Sequence, residues 1–404
     1  WQSAGRAGRA AATLAVTPGR GPPALAPCSP KEDAEAAAEA AQFDVVITWV
    51  NGSDAGWLQA RQAACEAFMW RSWPGILQAS PAARECLQSS EALAEAEAFR
   101  GAAGSCAQGA WGHEGACAEP PGEPRGLTTQ QSQCWRKTLQ EQCTSRAWSI
   151  ADHDELRYLV RSIERHLPWH TGRIWVVTPR RQWPRWLHAH GRLRVLAQED
   201  LFRWATASPE FQAAAARAAP EAGHPPGGVF DDMPVLAALP FIPRVSRVVM
   251  MFQDDLLLPR PVGACELFAK PPGIGLRLFG EPVAAPEELA DPWAQVYRAH
   301  QATSARFWET WSRSAQRSQD VSSPYYESQH APFVLDTEVL RDFWRRWPAE
   351  MASSLSVPFR HPGLLDVAGL HHAEVARRGR AARAAAGWTA PWWEPWRARL
   401  AATA

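Results

Sequence analysis

The sequence predicts an α/β fold built on a mostly parallel sheet with helices on both faces. Three apolar, β-branched runs at 43–50, 173–178 and 247–252 are typical of buried strands. A stretch of helical periodicity at 155–167 precedes the second run, and this alternation of helix and strand favours parallel pairing. Open α/β sheets bind their ligands at the carboxyl ends of the strands, so the residues after each run are candidates for function.

The first strand ends abruptly in a polar turn. Asn51-Gly52 forces a turn, which leaves Ser53 and Asp54 at the carboxyl end of the strand, while Asp44 stands at its start. An acid in such a position is a candidate contact for a metal ion or a sugar.

The segment 57–145 interrupts this pattern and is predicted to be a cysteine-rich insertion. It has weak periodicity and holds six of the eight cysteines of the chain, none of them in a Cys-x-x-Cys pair, which argues against a zinc ribbon. This pattern favours a disulfide-stapled module in an oxidising compartment, with unpaired thiols as the alternative and the connectivity open. The six are Cys65, Cys86, Cys106, Cys117, Cys134 and Cys143.

A capping signal marks the return of regular structure. Asp152 is predicted to cap a helix, with Glu155 three residues later completing a capping box, and Pro168 ends the helix. The apolar residues at helical spacing between them are Leu156, Leu159, Val160, Ile163 and Leu167.

The third strand leads directly into Gln253-Asp254-Asp255. Two adjacent carboxylates beyond a buried strand need either a cation or access to solvent. A divalent ion that bridges a diphosphate would meet this need, and a solvated turn is the alternative.

Composition sets limits on partners. The 404 residues carry 42 basic and 42 acidic side chains, so no net charge attracts a nucleic acid or an anionic membrane. The stretch 1–42 is predicted to be a flexible linker ending in a weak helix, and 366–404 an Arg/Ala/Trp-rich tail. Because the sequence begins at Trp1, a membrane anchor before it is left open.

Two histidine motifs follow a helix predicted around 303–316. They are His330-Ala331-Pro332 and Arg360-His361. A histidine suits general-base chemistry because its pKa lies near neutrality, whereas a lone histidine before a proline ordinarily has a structural role.

In their order along the chain, these motifs resemble the conserved regions of the Stealth family. The string 44–54 resembles the first region, and 152–178 resembles the second, whose closing acid pair corresponds to 251–255. The segments 330–336 and 360–361 are similar to the third region. This resemblance implies a Rossmann-like or GT-A-like catalytic domain at 43–56 and 146–365.

The resemblance also implies a reaction. A hexose- or HexNAc-1-phosphate would move from a nucleotide-sugar such as UDP-N-acetylglucosamine to the hydroxyl of a glycan or glycoprotein acceptor, and UMP would be released. Asp254 and Asp255 would hold Mg²⁺ or Mn²⁺, His330 would take the acceptor proton, and Arg360 would stabilise the phosphoryl charge. Predicted contacts to the donor are Asp44, Asn51, Asp54, Asp152 and Arg157, with helix capping and packing as the alternative for Asp152 and Arg157.

Two alternatives remain open from the sequence. A glycosyltransferase of related fold would use the same strand-end acids and release UDP instead of UMP. An inactive carbohydrate-binding relative is the other, because Gln253 replaces the family's asparagine and no fourth region precedes Ala404. Family resemblance and the clustered cysteines together predict the Golgi lumen or another secretory-pathway compartment.

Overall fold

A central sheet dominates this computed structural model. The structure describes residues 29–40, 42–65, 152–179, 182–188, 191–217, 230–269, 275–276, 280–281, 292–315, 327–328, 332–356, 359 and 364–385. Most of the predicted insertion at 57–145 therefore lies outside the described residues.

The strands of the described residues form one large sheet and two short ribbons. They are β1 (Asp44–Thr48), β2 (Ile174–Thr178), β3 (Leu193–Ala197), β4 (Val248–Gln253), β5 (Phe268–Ala269), β6 (Gly275–Leu276), β7 (Gly280–Glu281), β8 (Glu327–Ser328) and β9 (Phe333–Asp336). The large sheet has the order β3-β2-β1-β4-β9, in which β1 to β4 pair in parallel and β9 runs antiparallel to β4. The predicted α/β, mostly parallel fold is confirmed.

Helices surround this sheet. They are α1 (Pro30–Ala40), α2 (55–65), α3 (Glu155–His166), α4 (Gln198–Thr206), α5 (Pro209–Arg217), α6 (Met233–Ala238), α7 (Ala264–Leu267), α8 (Pro292–Ala315), α9 (Thr337–Arg346), α10 (Pro348–Ser356) and α11 (Val367–Ala385). A single 3₁₀ turn, Leu239–Phe241, follows α6.

The two faces of the sheet build two hydrophobic layers because side chains alternate along each strand. Val45 and Ile47 of β1 point to one face and pack with the apolar stripe of α3. Val46 points to the other face and packs with α4, α6, α9 and α11. Strands that are apolar on both faces are typical of parallel sheets covered on both sides. The α3 residues in the first layer are Leu156, Leu159, Val160 and Ile163.

The strand order creates a switch point. From β1 the chain passes to β2 and β3 on one side, and it then returns to place β4 on the other side of β1. The carboxyl ends of β1 and β4 therefore lie side by side at the switch point, which is where doubly wound sheets bind ligands.

Three sequence predictions need correction. Helix α3 begins at Glu155 with Asp154 at its N-cap position, so Asp152 is not the N-cap. The helix predicted at 303–316 begins earlier, at Pro292. The tail boundary at 365 also fails, because Ala368 and Leu370 of α11 are buried in the second hydrophobic layer. The weak helix predicted at the end of 1–42 is present as α1.

Gly172 permits a close backbone approach between the α3–β2 connection and β1. A Cβ atom at this position would lie 1.8 Å from the carbonyl oxygen of Phe43. Because the clashing atom belongs to the backbone, no rotamer change relieves the overlap. We expect Gly172→Ala to destabilise the fold by about 3 kcal/mol or more, measured as a lowered urea midpoint.

Gly191 provides the control for this prediction. Its φ is +54°, and a Cβ there would meet no atom within 4 Å. Asparagine tolerates this backbone conformation, so Gly191→Asn is expected to cost under about 1 kcal/mol. Equal loss of stability in the two variants would contradict the steric explanation.

Candidate active site

The loop after β1 is clamped to the loop after β2. The side chain of Gln182 accepts a hydrogen bond from the backbone N–H of Asn51 (2.8 Å) and donates one to its carbonyl oxygen (2.9 Å). Gln182 is 5% exposed, and both bonds are made by one amide group. The amide thus mimics a strand neighbour and fixes the backbone exit of β1 at the carboxyl edge of the sheet.

The polar side chains that follow shape the turn into α2. The Asn51 Oδ1 atom accepts from the backbone N–H of Ser53 at 3.0 Å, which is the geometry of an Asx turn. Asp54 is exposed, and its Oδ1 accepts from the backbone N–H of Trp57 at 2.7 Å, as an N-cap of α2 does. The structure thus gives Asn51 and Asp54 local structural roles at the predicted edge.

An acidic cluster lies at the end of β4. Burial, followed by the neighbouring charges of Asp255, Glu155 and Asp152, raises the pKa of Asp254 from 3.8 to about 7. These carboxylates come from the loop after β4 and from the start of α3. The structure therefore brings together the predicted residues Asp152, Asp254 and Asp255, and it adds Glu155.

The start of α3 is held in an unusual conformation beside this cluster. Asp154 has a φ of +69°, in the left-handed region that non-glycine residues seldom occupy. The carboxylate of Asp152 accepts from its N–H at 3.1 Å, and the Glu155 carboxylate accepts from the N–H of His153 at 2.6 Å. These two bonds hold the carboxylates of Asp152 and Glu155 against the backbone of the turn in which both residues lie.

Arg157 supplies a cation in the first turn of α3. It forms an ion pair with Asp154 (3.3 Å), and its guanidinium lies 5.1 Å from the centre of the Trp186 ring. Its side chain is 35% exposed, so it remains accessible to a ligand.

Asp44 lies at the opposite edge of the sheet, which corrects its predicted place in the donor site. In the register, Asp44 pairs with Val249, whereas Thr48 pairs with Gln253. Four residues of strand, about 13 Å, separate Asp44 from the carboxyl edge. Its buried carboxylate instead accepts hydrogen bonds from Arg173 (2.9 and 3.0 Å) and from the backbone N–H of Ser246 (2.8 Å).

We therefore expect Asp44→Asn to weaken the fold and leave donor binding unchanged. The variant keeps the shape of the side chain but removes the charge that pairs with Arg173. Because the Arg173 side chain is 33% exposed, the expected loss is about 2 kcal/mol, below the 3–5 kcal/mol of a fully buried pair. Urea unfolding measures this loss, and calorimetric titration measures binding of UDP-N-acetylglucosamine.

Asp200→Asn is the control for Asp44→Asn. Its partner Arg203 has a side chain that is 60% exposed, and such surface pairs contribute under about 1 kcal/mol. A loss of donor affinity in Asp44→Asn without any loss of stability would support the sequence prediction that Asp44 contacts the donor.

A hydrogen bond joins the acid pair to a segment that the sequence reasoning missed. The Gln253 amide donates to the Asp232 carboxylate at 2.6 Å. Asp232 precedes α6, and only its position before a helix could have singled it out. Glu155 was noticed in the sequence, but solely as a capping residue. Gln253, which replaces asparagine in the resemblance, thus still orients a neighbouring carboxylate.

His330 and Arg360 lie outside the described residues, but their neighbours in sequence are described. Phe333 begins β9 and pairs with Met251, so the antiparallel chain enters β9 from the carboxyl edge of β4. Phe359 is 4% exposed, and its ring stacks on that of Phe230 with centroids 5.2 Å apart. Both motifs therefore adjoin residues near the acidic edge.

The described part of the chain contains neither a cluster of three metal-ligating side chains nor a helix that could span a membrane. No three of its His, Cys, Asp or Glu side chains are grouped closely enough to hold a metal ion by themselves. No described helix combines the length and the apolarity needed to cross a bilayer.

Comparison with known protein families finds matches that cover the motifs at 44–54, 152–178, 330–336 and 360–361, whereas the acid pair in 251–255 lies outside them. Conserved region 1 of the Stealth proteins matches residues 42–66, conserved region 2 matches 149–219, and conserved region 3 matches 329–373.

Curated relatives match a little over half of the chain. One exopolysaccharide phosphotransferase of Streptomyces coelicolor is 26% identical over 230 residues, which are 55% of this chain and 20% of the relative. A second from the same organism is 26% identical over 236 residues, 56% of this chain and 33% of the relative. The chain spans about a fifth to a third of the length of these relatives.

Proposed function

The chain belongs to the Stealth family, and from this premise we propose that it is a sugar-phosphate transferase. It would move a hexose- or HexNAc-1-phosphate from a nucleotide-sugar, UDP-N-acetylglucosamine or a close analogue, to a glycan hydroxyl, with release of UMP. The exopolysaccharide phosphotransferases among its relatives support a polysaccharide as the acceptor.

The observation that carries the proposal is the acidic cluster at the switch point. The half-buried Asp254 lies within electrostatic range of Asp255, Glu155 and Asp152, at the edge where an α/β sheet binds its ligand. Like charges in a low-dielectric place are unfavourable unless a cation joins them. A donor diphosphate that arrives with a divalent ion supplies that cation.

The donor set fits Mg²⁺ or Mn²⁺ as a partial site. Hard carboxylate oxygens suit both ions, and Asp254 and Asp255 are the residues that would hold one. Mg²⁺ commonly binds through one or two carboxylates plus substrate phosphates and water, which agrees with fewer than three grouped ligands among the described residues. When bound, the ion neutralises charge on the diphosphate.

The chain's own groups would position the acceptor and move its proton. His330 stands three residues before Phe333 in the sequence, and Phe333 pairs with β4 near the edge where that strand ends. In this proposal His330 accepts the proton of the attacking hydroxyl. Arg360, next to the buried Phe359, donates hydrogen bonds to the transferred phosphoryl group.

The experiment is a product analysis. Purified protein is incubated with UDP-N-acetylglucosamine, a glycan acceptor and Mg²⁺ or Mn²⁺, and the released nucleotide is identified by ion-exchange chromatography. UMP is the expected product, because attack at the phosphorus next to the sugar leaves the sugar and its phosphate together. Release of UDP would instead favour a glycosyltransferase, and binding without either product would favour an inactive carbohydrate-binding relative. The secretory-pathway location stays a prediction.

A further inference from the structure

Three aromatic rings and one arginine form a continuous stack between α2 and the segment before α6. The guanidinium of Arg61 lies 5.7 Å from the centre of the Phe359 ring, which stacks on Phe230. Phe230 in turn meets the Trp57 ring edge-on, with centroids 5.5 Å apart. None of the four belongs to either hydrophobic layer of the sheet in the described structure.

Burial changes along this stack. Arg61 and Phe359 are 8% and 4% exposed, whereas Phe230 and Trp57 are only half-buried. One end is therefore anchored in the protein, and the other end presents large, flat, apolar rings. Rings held in place by stacked neighbours lose little conformational freedom when a ligand covers them.

The half-exposed end is close in sequence to several residues of the proposed transfer site. Trp57 lies in the first turn of α2, three residues after Asp54. Phe230 immediately precedes Asp231 and Asp232, and Asp232 binds the side chain of Gln253 beside the acid pair. Phe359 precedes Arg360 in the chain. A ligand on Trp57 and Phe230 would thus be held next to the groups proposed for phosphoryl transfer.

We propose that Trp57 and Phe230 form a platform for a pyranose ring of the glycan acceptor. This inference rests on the proposed function. A pyranose presents axial C–H groups on one face, which pack on aromatic rings, and its hydroxyls donate to carboxylates such as those of Asp231 and Asp232. A neutral acceptor sugar has no charge through which to bind, so ring packing and these hydrogen bonds would supply its affinity. The donor, in contrast, has a diphosphate to bind at the acidic cluster through a cation.

Saturation-transfer NMR with chitotriose as the probe tests the platform without requiring activity. The axial protons of one sugar face are expected to receive the strongest saturation from the unaltered protein. Trp57→Ala is expected to weaken chitotriose binding about tenfold, and Trp57→Phe to weaken it less than threefold. Tyr158→Ala is the matched control, because Tyr158 is 57% exposed on α3 and takes no part in the stack.

Two results would overturn the platform. They are unchanged chitotriose affinity in Trp57→Ala and displacement of chitotriose by UDP-N-acetylglucosamine. The proposed function fails separately, when nucleotide release is not UMP. In an active preparation, Trp57→Ala is expected to raise the acceptor KM about tenfold and to leave donor affinity unchanged.

Discussion

Asp254→Asn is expected to abolish metal-dependent binding of UDP-N-acetylglucosamine and to reduce transfer by at least about a hundredfold. Asparagine keeps the shape of the side chain but removes the charge that would bind a divalent ion. Isothermal titration of the nucleotide-sugar, with and without Mg²⁺, measures the first effect. The rate of UMP release measures the second.

The same substitution is expected to stabilise the metal-free protein. Burial and the neighbouring acids raise the pKa of Asp254 from 3.8 to about 7, so the fold favours its protonated form. Below pH 4 the carboxyl group of Asp254 is protonated in both states and does not penalise folding. As the pH rises toward 7, this group ionises in the unfolded chain before it ionises in the folded protein, so the free energy of unfolding falls. At pH 8 the penalty approaches three pKa units, an upper limit of about 4 kcal/mol.

Asp254→Asn removes this penalty. In the absence of divalent ions it is expected to exceed the unaltered protein in unfolding free energy by about 2–4 kcal/mol at pH 8, and by little at pH 4. Urea unfolding at the two pH values checks this. Glu164→Gln, at an exposed position on α3, is the control and should change neither stability nor donor binding. Unchanged metal-dependent binding in Asp254→Asn would contradict the role of the acid pair.

A substitution that stabilises the fold and abolishes binding indicates that the replaced side chain serves binding. A carboxylate that only caps or packs would destabilise the fold when replaced. The opposite result for Asp44→Asn, which is expected to weaken the fold and spare donor binding, separates two acids that the sequence placed in one site.

The strands could be predicted because their signal is local. The runs that became β1, β2 and β4 are apolar on both faces, and buried parallel strands require that pattern whatever their neighbours are. The acid pair was also predictable, because Asp254 and Asp255 directly follow such a run. Position at the end of a buried strand determines the edge of the sheet on which a residue lies.

That same rule could have placed Asp44 correctly. Asp44 opens β1 and Asp54 follows it, so the two acids leave the sheet at opposite edges. The motif string joined them because they are close in sequence. The ion-pair partner of Asp44 is Arg173, which lies 129 positions away, and nothing local in the sequence identifies that pairing.

Contacts between loops could not be predicted from the hydrophobic periodicity of the sequence. Gln182 clamps Asn51 from a segment without periodicity, and Asp232 meets Gln253 across 21 residues of chain. Glu155 was ambiguous for a different reason. A carboxylate in the first turn of a helix is favoured there by the helix dipole whether or not it also lines a pocket. Only the folded arrangement shows that it faces Asp254.

His330→Ala is expected to reduce kcat for sugar-phosphate transfer by about 10²- to 10⁴-fold, the contribution typical of a general base. Donor affinity should be preserved, because the proposed role of His330 concerns the proton of the acceptor hydroxyl. His188→Ala is the matched control, since His188 is exposed on the loop after β2.

The division between kcat and binding decides the role of His330. The segment that precedes β9 enters the sheet beside the end of β4, so a structural histidine there would also shape the donor pocket. Its loss would then weaken UDP-N-acetylglucosamine binding and lower the unfolding free energy together. A general base predicts intact calorimetric binding and an unchanged urea midpoint alongside the lost turnover. Parallel loss of donor affinity and stability in His330→Ala would therefore assign the residue to the architecture of the site and leave the proton acceptor to be sought elsewhere.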